Sequence, residues 1–229
     1  VLDLSLKVRR EGSALILPIT GSREGAELSD FELLPGRLVL PRHELVGGIA
    51  IMQDRDPEGA MKILGSRPSI HTVVYAAGEV SGAFRTREYE ILAGKPTTRT
   101  EVIEYGHQFT VDLSAAYFSA RLSSERQRIH EGMGKNETVL DMFAGVGPFA
   151  ISLADRAAFI VASDINPDAV RWMLVNLAQN RIKNVLPVLA DAHHLPACIP
   201  WRFDRIIMIF PYPGQAFFRM LSSSAEPGG

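Results

Sequence analysis

Thr138-Val139-Leu140-Asp141-Met142-Phe143-Ala144-Gly145-Val146-Gly147-Pro148-Phe149-Ala150 is the stretch on which the fold turns. Thr138 to Phe143 has the apolar, β-branched character of a buried strand. It runs into Ala144-Gly145-Val146-Gly147, and Pro148 to Leu153 starts a helix. Strand, glycine turn and helix in that order describe a nucleotide-type site, because glycines let the backbone turn tightly and let a ligand approach it closely. A full dinucleotide fingerprint needs Gly at 150, where this chain has Ala150, a residue tolerated there.

Downstream the pattern repeats. Phe159-Ile160-Val161-Ala162-Ser163-Asp164 reads as a second strand, Val185 to Leu189 as a third and Asp204 to Phe210 as a fourth. Asn166-Pro167-Asp168 caps a helix to Asn180, with Val170, Leu174 and Leu177 at helical spacing. Alternating strands and helices predict a parallel sheet with right-handed crossovers. Asp164 ends the second strand about 20 residues past the glycines, where a carboxylate holds ribose hydroxyls. Ile165 follows it. Asp191-Ala192, after the third strand, falls beside the same crevice and is placed to meet an adenine amino group. Asp141 directly ends the first strand, and Phe143 and Ala144 precede the glycines. That suits S-adenosyl-L-methionine better than a dinucleotide, since this ligand has no pyrophosphate and its ammonium and sulfonium groups suit an acidic loop.

Upstream the chain has a different character. Residues 4–19 are rich in Val, Ile and Leu around a hairpin turn at Arg9-Arg10-Glu11-Gly12-Ser13, and residues 20–44 read as a linker. Leu45 to Met52 reads as one buried strand, Asp56 to Leu64 as a short helix, and Thr72 to Leu113 as strands separated by glycine-bearing turns. Ser123 is placed to cap a helix to Gly132. The expected organisation is a remnant of a preceding domain with a linker (1–44), a small α+β domain (45–115), and an α/β, Rossmann-like domain (116–229) whose sheet is truncated after its fourth strand.

Composition narrows the class. The 229 residues are 46% hydrophobic and 22% charged, ordinary values for a globular chain. Lys and Arg total 24 against 26 Asp and Glu, a net charge of -2, which excludes nucleic-acid binding by bulk charge alone but leaves a local basic patch open. The single cysteine, Cys198, excludes an intrachain disulfide framework, argues against a cysteine zinc site and fits a reducing cytoplasm. His193 and His194 lack ligand partners at metal spacing, so no metal site is expected. No apolar run approaches the roughly 20 residues of a bilayer span, and Val1-Leu2-Asp3-Leu4 lacks the pattern of a signal peptide. The absence of an initial Met and the closing Glu226-Pro227-Gly228-Gly229 read as boundaries of a fragment.

Asp141 to Phe149, followed by Asp164-Ile165-Asn166-Pro167, resembles the archaeal and eukaryotic tRNA (guanine-37-N1)-methyltransferases, which are class I S-adenosylmethionine-dependent enzymes. Tyr117-Phe118-Ser119-Ala120-Arg121-Leu122-Ser123-Ser124-Glu125-Arg126 and Phe84-Arg85-Thr86-Arg87-Glu88-Tyr89-Glu90-Ile91-Leu92-Ala93-Gly94 resemble two further segments of that family. The resemblance implies methylation of a guanine beside the anticodon of tRNA, with no obligate protein partner. Guanine N1 carries a proton and is a poor nucleophile, so the reaction needs a base near N1, a cation for charge developing on O6, and alignment with the methyl group. By resemblance Glu125 is the base and Arg85 the O6 partner. Arg121 falls near the cofactor or base pocket, Tyr117 and Phe118 are placed to stack on a base or on adenine, and Pro211 shapes the loop after the fourth strand. Arg85, Arg87, Arg121, Arg126 and Arg128 form the expected basic surface for tRNA.

One position departs from the family: Ile209 stands where the family has an Asn that holds the target base, and an apolar side chain offers no hydrogen bond. Three rivals follow. Wybutosine-pathway aminocarboxypropyl transferases share the glycine loop and also lack that Asn, but Arg121-Leu122 matches the methyltransferases better. The others are a non-catalytic tRNA- or cofactor-binding module and a dehydrogenase.

Overall fold

The computed structural model describes residues 8–11, 14–17, 39–81, 86–195 and 202–209. The chain divides into two compact units, Val1–Leu40 and Pro41–Gly229. In the first unit, β1 (Arg9–Glu11) and β2 (Ala14–Ile16) pair antiparallel, so the first three residues of the expected turn are strand instead, and Gly12 and Ser13 lie outside the described residues.

The second unit opens with a four-stranded sheet of β3 (His43–Val46), β4 (Ile49–Met52), β5 (Thr72–Ser81) and β6 (Thr86–Gly94), in that spatial order. The single strand expected over 45–52 is instead a hairpin, β3 and β4 joined at Gly47-Gly48. Gly47 has φ +54°, and a Cβ there would run into the backbone carbonyl of Glu101. Apolar residues flank the turn on both sides, so hydrophobicity alone does not reveal the break. α1 (Pro57–Ser66) carries the chain from β4 to its parallel partner β5. Its first turn has Pro57, whose missing N–H costs nothing there, and the Asp56 side chain accepts a hydrogen bond from the Gly59 amide.

The parallel sheet comprises β9 (Glu137–Asp141), β10 (Ala157–Asp164), β11 (Val185–Leu189) and β12 (Arg205–Ile207), in the order β11-β10-β9-β12. The fourth strand expected over Asp204 to Phe210 is shorter: only Arg205–Ile207 is strand, Asp204, Met208 and Ile209 fall outside it, and Phe210 lies outside the described residues. β10 and β11 grow out from one side of β9 and β12 from the other, so β9 is the topological switch point, where open α/β sheets place their ligands. Helices α2 (Ser123–Glu131), α3 (Pro148–Leu153) and α4 (Pro167–Gln179) accompany these strands. Val139, Ile160, Ile151, Leu153 and Met173 are fully buried.

Two helix readings need correction. Ser123 is the first helical residue of α2 rather than its cap; Leu122 holds that position, without a side-chain cap bond. The buried face of α4 is Ala169, Met173, Asn176 and Leu177, and Leu174 is exposed. A polar residue, Asn176, occupies the inner face because it has a polar backbone to satisfy. β7 (Arg99–Glu104) and β8 (His107–Asp112) form a separate antiparallel hairpin. The Asn176 amide accepts from Thr110 N at 2.7 Å and donates to Thr110 O and Val146 O at 3.1 Å. Asn180 likewise accepts from Gln108 N at 2.9 Å and donates to Gln108 O. Four residues of helix rise about 6 Å and two of strand about 6.8 Å. Asn176 and Asn180 therefore match alternate residues of β8 and act as a substitute strand.

Candidate functional site

β9 and β10 end side by side, with Ala162 of β10 in register with Asp141. The Asp164 carboxylate accepts the Gly145 amide at 2.7 Å on one oxygen and the Asn166 amide at 2.9 Å on the other. It braces the glycine loop against β10 while keeping lone pairs free for a further donor. The Asn166 side chain also caps α4 at Asp168 N and donates to the Ala115 carbonyl, tying Ala115 to the start of α4. Gly147 has φ +87°, and a Cβ there would lie 2.8 Å from Met173 Cγ, so the loop packs against α4 only with glycine at this position.

Asp141 is buried, and its Oδ2 has no hydrogen-bond partner. Burial pushes its pKa up to about 7; the Asp164 carboxylate adds to the rise, and a backbone hydrogen bond from Phe143 opposes it. Burial also raises Asp164, against hydrogen bonds from Asn166 and Gly145. An orphaned buried acceptor beside a tight glycine turn fits a ligand that brings a cationic donor, as the ammonium of S-adenosylmethionine does.

The other expected cofactor residues are distributed around this point. Ile165 is exposed just beyond Asp164. Ala192 is buried with Leu140 and Met142 in a small core cluster, and Phe143 packs against the same cluster. Asp191 is held below the ordinary carboxylate range by hydrogen bonds from the His193 amide and ring. Tyr117 is 48% exposed, whereas Phe118 is buried against Phe109, their ring centroids 6.1 Å apart. Phe118 thus supports the segment from within the core and offers no open face for stacking. Arg85 and Pro211 lie outside the described residues, as does Cys198.

A second concavity lies between the small sheet and residues 113–121. One cavity of about 240 Å³ has Val46, Leu113, Arg87, Tyr89, Tyr117 and Ser119 in its wall. A neighbouring cavity of about 460 Å³ adds Arg42 and His43, and the two share Glu44, Gln53, Arg87 and Arg121. Arg121 is bonded to Glu44, another shared wall residue, at 2.6 Å. The Arg87 Nε is buried and has no acceptor. The sequence pattern placed Arg87 and Arg121 on a basic surface but offered no sign of Glu44 or Gln53, which reach the cleft only through the β3–β4 hairpin.

On α2 the structure separates neighbours that the sequence reading grouped. Glu125 is bonded to Arg128 at 2.6 Å, which holds its carboxyl below the usual range. Arg126 is not part of a basic surface, because it is buried and bonded to Glu104 at 2.7 Å. Neither Glu125 nor Arg128 is in the walls of the two cavities. Ile209 packs against the main core. Among the described residues no three His, Cys, Asp or Glu side chains gather as a metal site, and no helix is long and apolar enough to cross a membrane.

Comparison with known proteins places this architecture. The family model of the TRM5/TYW2 methyltransferase domain matches residues 100–229. A Pyrococcus abyssi protein named tRNA (guanine(37)-N(1))-methyltransferase Trm5b is 32% identical over 252 residues, covering 100% of this chain and 75% of the relative. The crystal structure of wild-type Trm5b from that organism superposes with a TM-score of 0.81 at 31% identity, covering 97% of this chain and 74% of the other. A structure of an aTrm5 in complex with tRNALeu gives a TM-score of 0.74 at 30% identity, covering 100% of this chain and 78% of the other. A Vitis vinifera tRNA (guanine(37)-N(1))-methyltransferase 1 is 37% identical over 164 residues, covering 68% of this chain but 27% of that protein. By these matches and by its sheet order, the chain belongs to the TRM5/TYW2 family of methyltransferases.

Proposed function

We propose that this chain is the catalytic part of an S-adenosylmethionine-dependent tRNA methyltransferase that modifies N1 of guanine 37, next to the anticodon. The observation that carries this reading is the pair of carboxylates, buried Asp141 and half-buried Asp164, at the glycine loop and the switch point of the parallel sheet. When bound, S-adenosylmethionine supplies an electrophilic methyl group. Asp141 Oδ2 would accept from its ammonium, the Gly145–Gly147 backbone would leave room for it, Asp164 would take its ribose hydroxyls, and Asp191 with Ala192 would border its adenine.

The cleft would receive the RNA. Arg87 offers a buried donor with no acceptor, Arg121 can exchange Glu44 for a phosphate, and Tyr117 presents an exposed ring for a base. Arg85 would be the O6 partner, and Pro211 would shape the loop after the fourth strand. Glu125 is the base of this reading. As a partly exposed carboxylate it is ionised at neutral pH, the state that can accept the N1 proton; the Arg128 bond lowers its pKa and weakens it as a base, so taking that proton requires Glu125 to exchange Arg128 for the guanine. Labour would be divided between a middle domain (45–115) that meets the anticodon loop and a methyltransferase domain (116–229) that holds the cofactor. The cytoplasm is the place of action in keeping with a single cysteine.

The test is to incubate the chain with S-adenosylmethionine and an unmodified tRNA carrying guanine at 37, and to identify the modified nucleoside by mass. N1-methylguanosine is expected. An aminocarboxypropyl adduct, or cofactor binding without any product, would overturn the reading.

A further inference from the structure

We infer that the Glu104–Arg126 ion pair sets the rotational phase of α2 and so aims Glu125, making Arg126 a positioning residue for methyl transfer. This rests on the reading of Glu125 as the base. Arg126 Nε and Nη2 bond to the Glu104 carboxylate at 2.9 and 2.7 Å, and Nη2 also donates to the Ser119 carbonyl at 3.1 Å. The guanidinium is 5.6 Å from the ring centroid of Phe118 and 5.5 Å from that of Phe149. One buried cation therefore joins four places: the end of β7, the cleft wall at Ser119, the Tyr117-Phe118 segment, and the second residue of the helix that follows the glycine loop.

Successive residues of a helix are separated by about 100° around its axis. Pinning Arg126 inward therefore decides where Glu125 points. The start of α2 has no side-chain cap bond, and Arg126 is its one buried residue. Stability alone does not account for such a pair, because desolvating two charges offsets most of their attraction and apolar residues of similar volume serve as well. What an apolar pair lacks is direction: it fills the space without bonding to the Ser119 carbonyl.

The experiment uses the double variant Glu104→Leu/Arg126→Met and the milder Arg126→Lys, measured as full chains. For the double variant we expect an unchanged or raised melting temperature and S-adenosylmethionine affinity within about threefold of the parent, while kcat falls about a hundredfold. Amide hydrogen exchange at residues 119–126 should accelerate. Arg126→Lys, which keeps the charge but not the two-pronged bond, should recover part of kcat. Unchanged kcat and exchange in the double variant would overturn the inference, as would losses of kcat, cofactor affinity and melting temperature in parallel in both variants. If the parent chain makes no N1-methylguanosine, the functional reading fails by itself. The exchange data still decide whether the pair holds α2.

Discussion

The carboxyl ends of β9 and β10 and the cleft beside β6 each leave one buried polar atom unsatisfied, and the two are opposite in kind. At the sheet end it is an acceptor, Asp141 Oδ2; in the cleft it is a donor, Arg87 Nε. Around the first, backbone amides and carboxylates satisfy one another at fixed distances through the glycine loop. Around the second, opposite charges pair in the cavity wall, where Arg121 holds Glu44 while itself largely exposed. Buried polar groups are expensive to leave unpaired, so each orphan indicates what completes it. An acceptor calls for a cationic ligand and a donor for an anionic or carbonyl-bearing one. On the proposed reading the two sites would divide a sulfonium cofactor from a nucleic acid by charge, within a chain whose net charge is only -2.

The sharpest way to break this contrast is Asp141→Asn, which turns half of the orphaned acceptor into a donor. S-adenosylmethionine binding should weaken by about 1.5–3 kcal/mol, the scale of a hydrogen bond to a charged group, measured by titration calorimetry. The pH dependence has a definite sign. With its pKa near 7 against an ordinary 3.8, native Asp141 holds a proton that the unfolded chain has lost. Its contribution to ligand-free stability therefore declines as pH rises from about 4 to about 7 and is flat above. Cofactor affinity should move the other way, rising towards pH 7 as the carboxylate ionises. Asn should flatten both curves, and a parent affinity that stays level from pH 5 to pH 8 would refute the assignment (about three units span the transition).

Gly147→Ala strikes the sheet end without altering charge. Its φ of +87° and the 2.8 Å approach to Met173 Cγ should destabilise the chain by about 1–3 kcal/mol in urea unfolding. The tRNA salt dependence, by contrast, should not change. The smallest effect is expected in the cleft. Arg87→Gln should lower the salt slope of tRNA binding by about one while leaving cofactor affinity at the parental value. A loss of cofactor binding in that variant would show that the two sites are not separable.

The sheet end was legible in the sequence because its determinants are local. Asp141, Gly145, Gly147, Asp164 and Asn166 sit at strand ends and helix starts, where turn chemistry and capping dictate the residue type. The cleft was not legible to the same degree. Arg87 and Arg121 attracted notice as cations, but Glu44 and Gln53 belong to a hairpin hidden within an apolar run. Apolar spacing alone turns α4 towards Leu174, whereas its inner face includes Asn176, which bonds Thr110 on β8, 66 residues upstream. By sequence alone Arg126 reads as a surface cation for the same reason: its partner Glu104 is 22 residues away.

Local order along the chain, meaning strand, glycine turn, helix and acidic strand end, was determined by the sequence itself, since backbone sterics and capping act within a few residues. Whether Arg126 faces RNA or core, and whether Glu125 or Glu44 borders the cleft, was decided only on folding. Those outcomes depend on which distant backbone and carboxylate groups are left needing a partner, and that demand exists only once β7–β8, α2 and α4 have packed.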